Sequence, residues 1–313
     1  MHDMRAANNE TQRSIVKTLS YSDIFGYPLT KEEVHRFYIG RKKTSKKDIW
    51  ENILILIKVG VVVNDCERYY LSGRKGLSEA RDKKKIYSRN KMPIAIKAAN
   101  ILSLIPSVQL VGLSGSLSME NCNEADDIDF FIITSQNSLW ITRIIIYSLL
   151  LLLKMNRRKN DNFAMNKICV NMYVSEEELE INRENLFTAH EITQLKVLVN
   201  KNKIYERFLY ANKWISRFLP NSTISKQKNS SKKNTHKKLQ LINKFLYWSQ
   251  YLYMRRSITK ERISLAKAEF HPKDKTEHVL SLYRLKSRTA LKFYNFIVKP
   301  NQDSSMPINT PGY

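Results

Sequence analysis

Cysteine, proline and glycine are all scarce, at 3, 8 and 8 of 313 residues. Cys66, Cys122 and Cys169 are odd in number and share no metal-like spacing, so neither a disulfide-stapled scaffold nor a cysteine metal module is indicated, and a reducing, cytoplasmic setting is expected. Acidic residues are outnumbered 29 to 53 by lysine and arginine, giving a net charge of +24 and a pI near 9.8. Such a balance ordinarily points to nucleic acid or an anionic surface. Here lysine, asparagine and isoleucine are abundant throughout, as in an AT-rich coding sequence, so much of the excess reads as solvated surface lysine. Two local clusters carry more weight, Arg74 to Lys91 and Lys226 to Lys238. The opening MHDMRAANNETQRS has no apolar signal-peptide core, so export is not expected. SLWITRIIIYSLLLLLKMNRRK is the longest apolar run, but Thr142, Arg143 and Ser148 interrupt it. A bilayer span needs roughly 20 apolar residues, so a helix buried on a sheet is the expected form, with an interfacial helix as the minor alternative because its flanks are basic.

A chain of this length can bury a substantial core and divide into two or three units. Residues 11–19 are a plausible first helix; Gly26 and Pro28 then break the pattern. Thr30 with Glu33 forms a capping box for a second helix, Lys31 to Ile39. A third helix starts near Ser45, carries Ile49, Ile53, Leu56 and Ile57 on one side, and stops at Gly60. VVVNDCERYYLS then reads as a hairpin turning at Asn64-Asp65. Three helices and a hairpin resemble a winged helix over residues 10–73, in which Lys46 and Lys47 of the third helix would face DNA. Trp50 and the isoleucines favour a core or protein-contact face for the same helix. Residues 76–104 read as helical, with Pro93 at a helix start.

The chain's chemistry concentrates in Val108 to Thr134, which reads as strand, Gly-Ser turn, short helix and second strand. Side chains at i and i+2 of a strand leave on one face, so Asp127 and Asp129 present two carboxylates side by side. That pair repels itself unless a cation intervenes, and hard oxygen ligands suit Mg²⁺ shared with substrate phosphates. A nucleoside triphosphate is the natural client. Gly115 permits close backbone approach, and Ser116 adds a hydroxyl where helix amides attract anions. NKICVNMYVS is a third strand, so the core runs β, α, β, α, β. Residues 188–218 show a helical apolar rhythm, and helices are expected again at 239–256, 259–269 and 275–299. The lysine-rich segment 221–238 and the tail 300–313 are expected to be disordered.

Leu113-Ser114-Gly115-Ser116, then ten residues to Asp126, then Asp127-Ile128-Asp129-Phe130, resembles the signature of the nucleotidyltransferase superfamily typified by DNA polymerase beta and minimal bacterial nucleotidyltransferases. The resemblance implies a small mixed-sheet nucleotidyltransferase core (106–200); with the winged-helix-like domain (1–75), helical connector (76–105) and helical C-terminal domain (201–299) read from the element pattern, the expected class is α+β. It also implies transfer of a nucleoside monophosphate from an NTP, ATP first, with Asp127 and Asp129 on Mg²⁺ and Gly115 and Ser116 on the β- and γ-phosphates. Active members usually add a third carboxylate from a later strand, whereas the strand Ile168 to Val174 offers Asn171 at its centre. An amide orients or coordinates but takes no proton. Glu176 to Glu178, or Glu191 on the following helix, are the candidate substitutes, a solvated helix face being the competing reading for Glu191. Asp126 faces away from its neighbours and reads as structural. His190 beside Glu191 is a candidate near the acceptor, with an ordinary surface or core histidine as the default, and His271 and His278 share no ligand spacing. The aromatic run Phe245, Tyr247, Trp248, Tyr251 and Tyr253 with Arg255 and Arg256 would suit base stacking, but its helical spacing makes core packing the default. The acceptor is a small molecule, protein or RNA. The alternative is a decayed site in a nucleotide-binding or DNA-binding regulator, nucleic acid meeting the winged-helix region and the basic clusters.

Overall fold

The computed structural model describes residues 2–157, 165–222, 237–256, 262–270 and 275–298. The chain forms two compact units, one of Met1–Ser78 with Val279–Tyr313, the other of Glu79–His278. Helices and two separate sheets make the fold mixed α and β, consistent with an α+β class.

The first unit opens with α1 (His2–Asp23), β1 (Leu29–Thr30), α2 (Lys31–Arg36) and α3 (Lys46–Lys58), followed by β2 (Val62–Asp65) and β3 (Arg68–Leu71). Thr30 and Glu33 close the expected capping box, each side chain taking the other's backbone N–H. Ser45 caps α3 through Asp48 N. Helix, helix, helix, hairpin is thus present, with β1 added to give the sheet order β1-β3-β2. The hairpin turns at Cys66-Glu67 instead of Asn64-Asp65, because those two residues adopt the positive φ of a two-residue turn (50° and 58°). Ile49, Ile53 and Leu56 of α3 are buried, as expected of a core face. On its outer side Lys47 pairs with Glu51 and Lys31 caps the Trp50 ring, so that face is not uniformly basic.

The second unit is built on a six-stranded sheet. α4 (Leu77–Ser103) runs through Pro93 without stopping and leads to β4 (Val108–Leu113), α5 (Gly115–Ser118), β5 (Ile128–Thr134), α6 (Leu139–Leu152) and β6 (Ile168–Ser175). α7 (Leu186–Gln194), β7 (Lys196–Asn200) and α8 (Ile204–Ala211) follow, then α9 (Lys237–Met254), β8 (Arg262–Ile263) and β9 (Lys267–Glu269). The order is β7-β4-β5-β6-β9-β8, with β5 and β6 parallel and all other neighbours antiparallel. α10 (Thr276–Val298) carries the chain back to the first unit, where the Tyr294 hydroxyl meets Gln12 Oε1 at 2.8 Å.

Two expectations fail for one reason, the need of backbone at a sheet edge for partners. Residues 188–218 are not continuously helical: Lys196–Asn200, with its β-branched valines, pairs with the free edge of β4. The expected helix at 259–269 is, over its described part, the hairpin β8–β9, turned by Ser264 Oγ accepting Lys267 N and pairing Ala268 with Tyr173 on the outer edge of β6. The described parts of residues 201–278 belong to the same compact unit as the six-stranded sheet. Residues 223–236 of the lysine-rich segment and the tail from 299 lie outside the described residues. α6 is buried on one side only. Leu139, Trp140, Ile146 and Leu150 join Phe130 and Ile132 in the core, each such side chain stabilising by about 2 kcal/mol, while Ile145, Tyr147 and Leu152 face outward. Among the described residues no helix is long and apolar enough to cross a membrane.

Candidate functional site

The site forms where β4 ends and β5 begins. Gly115 has φ +61°, and a Cβ on it would stand 2.5 Å from Asp129 Oδ2. The residue is glycine for two reasons: its backbone is left-handed, and an Asp129 carboxylate oxygen stands where a Cβ would project. Ser114 N donates to Asp129 O at 3.0 Å, fixing turn and strand together. Ser116 turns away from the expected phosphate position. Its Oγ donates to Asp126 Oδ2 at 3.1 Å, and Asn123 N donates to the same oxygen at 2.8 Å, so Asp126 is a structural brace for the loop.

That loop is held from behind by α4. Lys91 is 2% exposed, and its Nζ donates to Glu124 O (2.8 Å) and Asp126 O (2.7 Å). One turn earlier on the same helix face, Ser88 Oγ accepts Cys122 N at 3.2 Å. A buried lysine costs several kcal/mol of desolvation unless its protons find acceptors, and here two carbonyls and Asn166 Oδ1 supply them.

Asp127 and Asp129 do share a neighbourhood, and β6 lies against it. Asp129 pairs in register with Cys169. A bulge between Phe130–Val170 and Phe131–Met172 leaves Asn171 as the extra residue, and its Nδ2 donates to Asp129 Oδ1. Cys169 Sγ donates in turn to Asn171 Oδ1 at 2.9 Å. Arg157, whose backbone N donates to Ile168 O at the start of β6, forms an ion pair with Asp127 Oδ2. Burial, then the charge of Asp127, pushes Asp129 up to about 7 against the pull of Asn171 and Arg157. Burial, then the two aspartates, pushes the Cys169 thiol up to about 12.

Glu191 joins this end of the sheet through topology. β7 pairs Lys196 with Leu113, the last residue before the Ser114–Gly115 turn, so α7 is delivered beside the aspartates. Burial pushes Glu191 up to about 7, opposed by Lys275, and its charge is felt at Asp129. Glu176 to Glu178 are excluded as substitutes. Glu176 N bonds Thr134 O at the far end of β5, and its carboxylate pairs with Arg207 at 3.1 Å. Those glutamates line a cavity of about 470 Å³ with Gln136, Arg207 and Lys213, remote from Asp127 and Asp129. Burial drives His190 down to about 3, so its imidazole is neutral at ordinary pH. His271 lies outside the described residues.

Arg157, Cys169 and Lys91 were not foreseen as site residues. Cys169 was readable: it is two residues from Asn171 and so shares its strand face. Arg157 sat in a basic flank indistinguishable from a solvated one, and Lys91 at the end of a lysine run. Among the described residues, Asp127, Asp129 and Cys169 are the group of His, Cys, Asp or Glu whose ligand atoms lie close enough to hold a metal, within 4.8 Å of one another. The donor chemistry fits one hard divalent ion on the two carboxylates, with the neutral thiol a poor ligand for it. β6 supplies no third carboxylate. Comparison with protein-family models, with curated proteins and with solved structures finds no match.

Proposed function

We propose that this protein is a divalent-metal-dependent nucleotidyltransferase that moves a nucleoside monophosphate from an NTP, ATP first, to an acceptor. The observation that supports this reading is the seating of the Asp129 carboxylate on Gly115 beside Asp127, which joins the Gly-Ser turn and the Asp-x-Asp strand in one place. Asp127 and Asp129 would hold Mg²⁺, which when bound offsets charge on the α-phosphate and the departing pyrophosphate. Asn171 fixes the rotamer of Asp129, and Lys91 fixes the loop that carries Asp127. The backbone at Gly115 and Ser116 receives the triphosphate, a function of amides and not of the Ser116 hydroxyl, which Asp126 holds. The acceptor hydroxyl oxygen bonds to the α-phosphorus, the α–β bridging bond breaks, and pyrophosphate leaves with that electron pair. Glu191, already drawn toward neutral pH by burial, takes the acceptor's proton. The acceptor class is a small molecule, a protein or an RNA. Three free thiols fit a cytoplasmic setting.

The second reading, a nucleotide-binding or DNA-binding regulator acting through a winged-helix-like first unit, is favoured by Asn171 standing where a carboxylate would be and by Arg157 already paired with Asp127. One experiment separates the two. The purified protein is incubated with α-labelled NTPs, Mg²⁺ and cell extract, beside an Asp127→Asn, Asp129→Asn variant. Label transfer lost in the variant is the expected result; transfer that survives sinks the metal assignment. NTP binding without transfer in both proteins supports the regulator.

A further inference from the structure

α9 presents two stripes of opposite character. Asn243, Tyr247, Gln250 and Met254, at helical spacing, face α6: Asn243 Oδ1 accepts Trp140 N at 2.8 Å, Gln250 Nε2 donates to Trp140 O at 3.1 Å, and Tyr247 sits edge-on to the Trp140 ring. Leu241, Phe245, Trp248 and Leu252 recur at the same spacing two positions away, which on a helix is the opposite side. They are 67, 72, 57 and 52% exposed, and Tyr253 beside them is 87% exposed. Core packing, the expectation for this aromatic run, therefore holds only for its inner stripe. An outward apolar stripe of this size on a folded unit marks a contact surface.

The charges identify the occupant. Neither α6 nor α9 contains an aspartate or glutamate, whereas Lys237, Lys238, Lys244, Arg255 and Arg256 on and just after α9 are all exposed, as is Lys154 after α6. A second copy of the chain would set this positive face against itself, since a two-fold interface pairs a patch with its own image. A nucleic acid would use the cations and the rings but leave Leu241, Leu252 and, on α6, Ile145 and Leu152 without partners. A bilayer surface that is anionic satisfies both sets: lysines and arginines at the headgroups, leucines and aromatics in the acyl boundary.

We propose that α9, with the outer side of α6 beside it, docks in the plane of an anionic lipid surface. The test uses the full-length protein and two vesicle preparations, phosphatidylcholine alone and phosphatidylcholine mixed with phosphatidylglycerol, read by co-sedimentation. Binding to the mixed vesicles that weakens with salt is expected, with partition about tenfold or more lower in Phe245→Glu, Trp248→Glu. A charge-only variant, Lys237→Gln, Lys244→Gln, Arg255→Gln, alters no apolar contact and is expected to lose binding to a similar extent. Overturning results are absence of vesicle binding, equal binding to both preparations, tight binding to single-stranded RNA with none to vesicles, or a dimer in the wild type that the Phe245→Glu, Trp248→Glu pair dissociates without any vesicle binding.

Discussion

Two acidic clusters sit at opposite ends of one sheet. At the end where β5 leaves Thr134, Glu176 meets Arg207 and the backbone of Gln136, and Glu178 meets Lys267 at 2.7 Å. At the other end Asp129 is bonded to a neutral amide, and its nearest charges include Asp127 and Glu191, so burial and repulsion raise it to about 7. Carboxylates that look alike in sequence are thus neutralised at one end and left in excess at the other. Excess buried negative charge is a cost to folding, and it persists where a cation or a proton is to be received. By that criterion the end at Gly115 is a site and the end at Glu176 is structure.

The largest expected effect tests whether the frame behind the site is as rigid as the geometry requires. Lys91→Met keeps the apolar stem but strips the donor from two part-buried carbonyl bonds and Asn166, at a cost of about 3 kcal/mol in unfolding free energy. Chemical denaturation checks it; a loss below about 1 kcal/mol would show that water replaces the ammonium.

Next in size is a sign difference between the two ends. Asp129 has an ordinary value of 3.8 and a folded value of about 7, so the folded chain holds its proton more tightly than the unfolded chain. Stability from this group is complete below pH 4 and is lost as pH rises toward and through 7. Asp129→Asn removes that loss. It is expected to leave stability unchanged at pH 4 and to raise it by about 2 kcal/mol at pH 8, a value discounted for the partial exposure of the side chain. Glu176→Gln should do the reverse, destabilising at pH 8 by about 2 kcal/mol because it leaves the buried Arg207 guanidinium without its counter-charge. Thermal or urea melts at both pH values, without added metal, measure both. The same sign at the two ends would erase the distinction between them.

What was legible in the sequence is the local chemistry. Gly115, Asp127 and Asp129 announced themselves because a left-handed turn needs glycine and a strand alternates with period two, both properties of neighbouring residues. The capping box at Thr30 and Glu33 was readable on the same terms. What was not legible depended on partners far along the chain. β7 and the β8–β9 hairpin are strands because β4 and β6 have edges to fill, and no periodicity within residues 188–218 or 259–269 records that. Glu176 and Glu191 were equal candidates until strand direction sent one to each end of the sheet. Lys91 is one lysine among many until α4 is seen behind the loop.

The smallest expected effect concerns Arg157, the cation paired with Asp127 among the described residues. Its guanidinium occupies one oxygen of the carboxylate pair and also bonds Cys169, so it competes with a metal ion for the charge of Asp127. The Arg157 side chain is nearly half exposed, so moving it costs little. Arg157→Gln removes the competitor without touching either aspartate, and binding of Mn²⁺ in place of Mg²⁺ should tighten about tenfold, equivalent to about 1.4 kcal/mol. Titration followed by electron paramagnetic resonance measures the affinity. Tighter binding means that the arginine balances the charge until the ion arrives. Weaker binding would mean that it orders Asp127 for the ion instead, and the two ends of the sheet would then both rely on arginine to set a carboxylate in place.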